Sequence, residues 1–136
     1  MATLNLTKEN FDSTINAHPM VLVDFWAQWC GPCRVFGETY KAVSEKFPDI
    51  VFGKVNVEEE IELAEDFNVK SIPMLMIFRG EIAVFAEAGA LSSAALIDVI
   101  HRAQALNLEE IKKSIQQSNQ PTQSSQQSQP SKESGS

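Results

Sequence analysis

The sequence predicts an α/β sandwich built on a mixed β-sheet. Three observations carry this reading. Residues 20–27, MVLVDFWA, are apolar except for Asp24 and rich in β-branched and aromatic residues, so they read as a central strand. Directly after them, Val35, Phe36, Tyr40, Val43 and Phe47 recur at helical spacing and form one apolar stripe. Beyond that helix, strands and helices alternate until Arg79-Gly80 turns the chain into a hairpin, with a further helix behind it.

Each element has its own signal. Thr3 to Leu6 reads as a short edge strand, and Thr7 as the cap of a helix that carries Phe11 and Ile15 on one face. His18-Pro19 ends that helix and bounds the central strand. Pro48-Asp49 breaks the next helix and leads to the strand IVFGKVNV. EEEIELAEDFNV reads as a short helix with Leu63, Ala64 and Phe67 inward and Asn68 in the left-handed position that ends it. Pro73 opens the strand MLMIF, and EIAVFAEA is its hairpin partner. Gly89 and Ser92 lead into a last core helix with Leu96, Ile100, Ala103 and Leu106 as its stripe.

The 136 residues give room for one domain with a real core, placed at residues 1–106. Next comes NLEEIKKSI, 107–115, where Asn107 and Glu110 have capping-box spacing and Leu108, Ile111 and Ile115 form a stripe. It reads as a separate short helix or an extension of the last one. Residues 116–136 contain no aliphatic, aromatic or sulfur side chain, and 14 of the 21 are Gln or Ser. Such a segment buries too little to offset its ordering entropy, so a disordered tail is expected.

A formal net charge of −7 argues against nucleic acid as a partner. The start, MATLNLTKEN, has neither a basic n-region nor an apolar h-region, and no apolar run approaches a membrane span. The expected compartment is therefore the reducing cytoplasm, where a cysteine pair is more often catalytic than structural.

The only two cysteines lie in WAQWCGPCR, residues 26–34. If Cys30 caps the helix and Cys33 lies in its first turn, the pair is within disulfide reach. As a staple it would do little, because the entropy gained by closing a ring grows with loop length. A structural zinc would need four ligands, and beyond the pair only His18 and His101 remain, neither forming a second spaced pair. A CxxC between a strand and a helix reads as redox-active, and the positive end of a helix dipole favours thiolate at Cys30. Its place near the helix start also puts Cys30 nearer solvent. Asp24 interrupts an apolar strand and shares a face with Leu22 and Trp26 by alternation. A buried carboxylate is costly unless paired or protonated, so its pKa should rise. The acidic run Glu58–Asp66 reads mainly as a solvated helix face and secondarily as a source of long-range charge steering.

These residues resemble the thioredoxin family. WCGPC matches the family's active-site motif residue for residue, and VLVDFWA matches its central strand, acid included. KVNV, ELAEDFNV, SIPMLMIF and EAGALS follow the family's order and spacing over about residues 3–105. The resemblance implies the thioredoxin fold, with a central mixed sheet of about five strands flanked by about four helices and a cis peptide before Pro73. It implies a thiol–disulfide oxidoreductase that reduces protein disulfides, with Cys30 as the attacking sulfur and Cys33 as the resolving one. It makes Asp24 a proton acceptor for Cys33 through water, with Lys54 beside it. Trp29, Gly31, Pro32, Ile72, Pro73, Gly89 and Ala90 would form the surface that docks substrate. Proline lacks an N–H, so the segment at Ile72-Pro73 can leave backbone free to pair with a substrate strand. No cofactor is expected to be bound. Electrons would come from NADPH through thioredoxin reductase, and the protein would act as a monomer on disulfide-containing proteins.

Four features depart from the family pattern. Glu38 stands where a kinking proline is usual, with Gly37 before it, which predicts a straighter helix. Met74 stands where threonine is common. The hairpin glycine, Gly80, comes one residue early, and a bulge would absorb the extra residue before Gly89. The segment after residue 106 has no family counterpart. It keeps open a second class of function, a binding or scaffold module acting through its docking surface or its C-terminal extension.

Overall fold

The computed structural model describes residues 3–118. The chain divides into two units, Met1–Gln104 and Ala105–Ser136. The first holds a five-stranded mixed sheet of order β1-β3-β2-β4-β5. Its strands are β1 (Leu4–Asn5), β2 (Met20–Trp26), β3 (Val51–Asn56), β4 (Met74–Arg79) and β5 (Ile82–Ala88). Its helices are α1 (Phe11–Ala17), α2 (Gly31–Ser44), α3 (Ile61–Asp66) and α4 (Ser93–Ala105), the last reaching one residue into the second unit. β1 and β2 run parallel to β3, whereas β4 runs antiparallel to β2 and β5 antiparallel to β4.

Alternation along the strands makes two cores. Leu22, Leu75 and Ile77 point to one face and meet Phe36, Tyr40 and Val43 of α2 and Leu96, Ile100 and Ala103 of α4. Val21, Val23, Phe25, Met76 and Phe78 point to the other and meet Phe11 and Ile15 of α1 and Leu63 of α3. The central strand is thus buried on both faces, which is why it reads as an almost unbroken apolar run.

Several expectations are met in detail. Asn68 takes a positive φ of 56° after α3. The β4–β5 register slips between Ile77 and Phe78, the bulge that the early Gly80 requires. Ser92 Oγ accepts from Ala95 N at 3.2 Å at the start of α4. The Ile72–Pro73 peptide is cis. α2 continues through Glu38 without interruption.

Other expectations are corrected. Thr7 does not cap α1. It opens a turn in which Thr7 N donates to Asn10 Oδ1 at 2.7 Å, and the helix begins only at Phe11. The edge strand is shorter than residues 3–6, although Leu6 N still donates to Lys54 O at 2.8 Å. Val35 is 68% exposed, because the buried face of α2 is set by Cys33, Phe36, Tyr40 and Val43 and Val35 lies off it. Phe47 lies beyond the end of α2 but still stacks on Phe52. Leu106 falls past the end of α4 and is 40% exposed rather than part of its stripe.

In the second unit α5 (Leu108–Ser118) is a helix distinct from α4. Asn107 Oδ1 accepts from Glu110 N at 3.1 Å, so the expected cap forms. The helix runs on through Gln116–Ser118, which the sequence reading assigned to the tail; glutamine is a good helix former. Most of that tail, residues 119–136, lies outside the described residues.

Candidate active site

The C-terminal end of β2 delivers the chain to the start of α2, and the cysteines sit at that junction. Cys30 is the N-cap of α2 in an extended conformation, and its Sγ accepts from Cys33 N at 3.1 Å. Gly31 and Pro32 form the first turn, where the missing proline N–H has no intrahelical role. Cys30 and Cys33 form a disulfide with Cα atoms 5.2 Å apart. Both residues are almost fully buried, against Ala27 and the half-buried Trp26, Val57 and Ile72. The expectation that Cys30 stands nearer solvent is therefore hardly met, at 4% exposure against 2% for Cys33. The pair is enclosed from below and beside, while Trp29, Gly31 and Pro32 around it are exposed.

Tertiary structure brings three other segments to this edge. The Ile72 carbonyl oxygen lies 3.9 Å from Cys30 Sγ. Gly89 N donates to Pro73 O at 2.8 Å, which fixes the exposed Gly89-Ala90 beside the cis-proline. Gly89 has φ of 121°, a conformation that favours glycine. Trp29 is 68% exposed, and its indole Nε1 donates to Glu58 Oε2 at 2.9 Å. Glu58 itself is held by Asn56 Oδ1, which accepts from Glu58 N at 2.9 Å.

The strand that leads to the pair, β2, carries the buried acid. Asp24 is completely buried, and neither carboxylate oxygen has a hydrogen-bond partner among the described residues. Burial pushes its pKa up to about 7, and the positive charge of Lys54 opposes that rise. Lys54 is the partner of Asp24 in the parallel β2–β3 register, and its ammonium sits 4.9 Å from the centre of the Trp26 ring. Burial, and secondarily the charge of Asp24, holds the Tyr40 phenol well above its usual range; Tyr40 Oη donates to Gly53 O at 2.8 Å.

The two histidines stand apart from this site. His18 Nδ1 bonds Thr14 O at 3.0 Å, and the His101 ring packs edge-on to Phe47. Among the described residues no cluster of three or more His, Cys, Asp or Glu side chains could hold a metal ion. Two contributors went unread in the sequence. Glu58 counted as part of a solvated helix face, yet it precedes α3 and holds Trp29, 29 residues away. Val57 packs against the cysteines without any motif to mark it.

The family model for thioredoxin matches residues 2–102. The chain belongs to the thioredoxin family. It is 53% identical over 114 residues to the Streptomyces coelicolor protein named "Putative thioredoxin 2", which covers 84% of this chain and 85% of that protein. Among solved structures, Plasmodium falciparum thioredoxin superposes with a TM-score of 0.69 at 34% identity, covering 74% of this chain and 98% of its own. A thioredoxin variant from Halobacterium salinarum gives 0.72 at 28% identity, over 77% and 93%. The protein is a thiol–disulfide oxidoreductase of thioredoxin type, a protein-disulfide reductase whose redox-active group is the Cys30–Cys33 disulfide. Like other thioredoxins it works without a prosthetic group. Among the described residues no helix is long and apolar enough to cross a membrane.

Proposed function

We propose that Cys30 is the attacking sulfur and Cys33 the resolving one. The observation that carries this is the position of Cys30 Sγ, at the N-cap of a 14-residue helix and accepting the Cys33 backbone N–H. Both the helix dipole and that donor favour a thiolate there. In the reduced protein the Cys30 thiolate attacks one sulfur of a substrate disulfide. The substrate S–S bond breaks, one substrate thiolate leaves, and a mixed disulfide joins Cys30 to the other sulfur. Asp24 takes the proton of Cys33 through water. The Cys33 thiolate then attacks Cys30 Sγ, closes the Cys30–Cys33 disulfide and releases the second substrate thiolate. Two electrons pass to the substrate.

Asp24 suits that proton transfer because a pKa of about 7 matches the working pH. Lys54, opposite it in the sheet, tunes that carboxyl. Trp29, Gly31, Pro32, Ile72, Pro73, Gly89 and Ala90 dock the substrate chain. The exposure of Trp29, the Ile72 carbonyl beside Cys30 and the Pro73–Gly89 link support this surface. Thioredoxin reductase, drawing on NADPH, restores the dithiol. The protein works as a monomer in the cytoplasm. Residues 1–106 carry the redox domain, 107–118 contribute the added helix, and the residues after it are dispensable for the chemistry.

The roles of the two sulfurs are tested with single variants. Cys33→Ser is expected to accumulate a mixed disulfide with oxidised insulin, seen as an added mass that dithiothreitol removes. Cys30→Ser should form none and should lose insulin reduction. A Cys30→Ser protein with full turnover would overturn the assignment.

A further inference from the structure

On the α2 side of the redox pair lies a cleft of about 240 Å³, lined by Trp26, Cys33, Arg34, Glu38, Lys41 and Lys54. That is below the roughly 300–1,000 Å³ of most cofactor and drug-sized pockets and suits a single side chain. Three cations face one carboxylate there, in a chain whose net charge is −7. Among the described residues neither Arg34 nor Lys41 forms an ion pair. Lys54 is held at the cleft wall. Its ammonium stacks over Trp26, and a Cβ added at Gly37 would touch it in ordinary contact at 3.5 Å, so it lies close against α2. The cleft is continuous with the redox site, because Cys33 lines both.

We propose that this cleft binds a carboxylate side chain of the disulfide-bearing substrate polypeptide, so that acidic residues near the target cysteine favour reduction. The proposal rests on the reading of Cys30–Cys33 as the site that takes protein disulfides, and it adds a substrate preference. Charge complementarity selects the occupant: a basic side chain would meet Arg34, Lys41 and Lys54, whereas a carboxylate meets all three as counter-ions. The rim at Trp29, which is not among the residues lining the cleft, discriminates the other way. There Glu58 holds Trp29, and a substrate carboxylate would meet like charge. An acidic residue is therefore rewarded only where the substrate chain passes over α2.

The test uses the full chain and a set of synthetic peptides, each closed by one disulfide, identical except for a single Glu placed in turn at positions before and after the attacked cysteine. An all-Gln peptide is the reference. At low ionic strength at least one Glu position should raise kcat/KM by about three- to tenfold, as expected for two or three partly exposed ion pairs, and salt should erase the gain. In the Arg34→Gln/Lys41→Gln double variant the gain should shrink to less than about twofold, the share left to Lys54, while the all-Gln peptide is reduced at an unchanged rate. No gain at any position, or a gain undiminished in the double variant, overturns the proposal. Failure to reduce even the all-Gln peptide would instead count against the docking of disulfide chains at this site.

Discussion

Asp24 lies directly opposite Lys54 across the parallel β2–β3 ladder, fully buried in the strand that leads to the Cys30–Cys33 pair. The register puts an acid and a base side by side on the α2 face of the sheet, yet desolvation outweighs their attraction, because the carboxyl titrates near 7 rather than near 4.

This has a signed consequence for stability. The folded pKa of Asp24 is raised, so the native state holds the proton over a range where the unfolded chain has released it. Stability is therefore greatest below the unfolded value and falls as pH rises toward about 7, by about 4 kcal/mol from this group. Asp24→Asn should remove that slope and be the more stable protein at pH 8. Urea denaturation of both oxidised proteins at pH 5 and pH 8 checks it; an equal pH slope in the variant would refute the buried-acid account. The same variant should reduce insulin more slowly near neutral pH, the outcome expected from the proposed role of Asp24 as proton acceptor for Cys33.

The Trp29–Glu58 hydrogen bond positions an exposed indole at the rim of the site. Glu58→Ala should free the ring and raise KM for insulin by about two- to tenfold, the range of a net hydrogen bond of ~0.5–1.5 kcal/mol. The melting temperature should not move, since Glu58 is exposed. Steady-state kinetics together with tryptophan emission measure this, and an unchanged KM would show that indole placement is unimportant.

Gly53 is required by packing. A Cβ there would overlap the Leu6 side chain and approach Leu22 O to 3.2 Å. Gly53→Ala should destabilise the protein by about 1–3 kcal/mol, as overpacking does. The penalty should shrink in a Leu6→Ala background, and a double-mutant cycle in urea reads the coupling. Simple additivity would mean that the strain lies elsewhere.

α5 is capped by Asn107. Asn107→Ala should weaken that helix by about 1 kcal/mol and lower far-UV helical ellipticity without changing insulin reduction. A chain ended at Ser118 should keep both melting temperature and turnover, because residues 119–136 contain no apolar side chain to bury. Lost activity in the truncated chain would assign those residues a role in the chemistry.

What the sequence determined by itself was local or periodic. The apolar run around Asp24 marked a strand buried on both faces, and CGPC between strand and helix marked the redox pair. The early Gly80 required a bulge, and Asn68 marked the end of α3. All of these rest on backbone conformations and side-chain periods that span only a few residues. Tertiary structure decided what depends on rotation and register. Helical spacing admitted Val35 to the stripe, but only packing against the sheet fixed which face of α2 turned inward and left Val35 in solvent. The same pleat and parallel register set Lys54 against Asp24. Glu58 and Trp29, 29 residues apart, meet only because β3 ends beside β2. Sequence spacing says nothing about such pairs, because their distance is fixed by strand order and not by the chain between them.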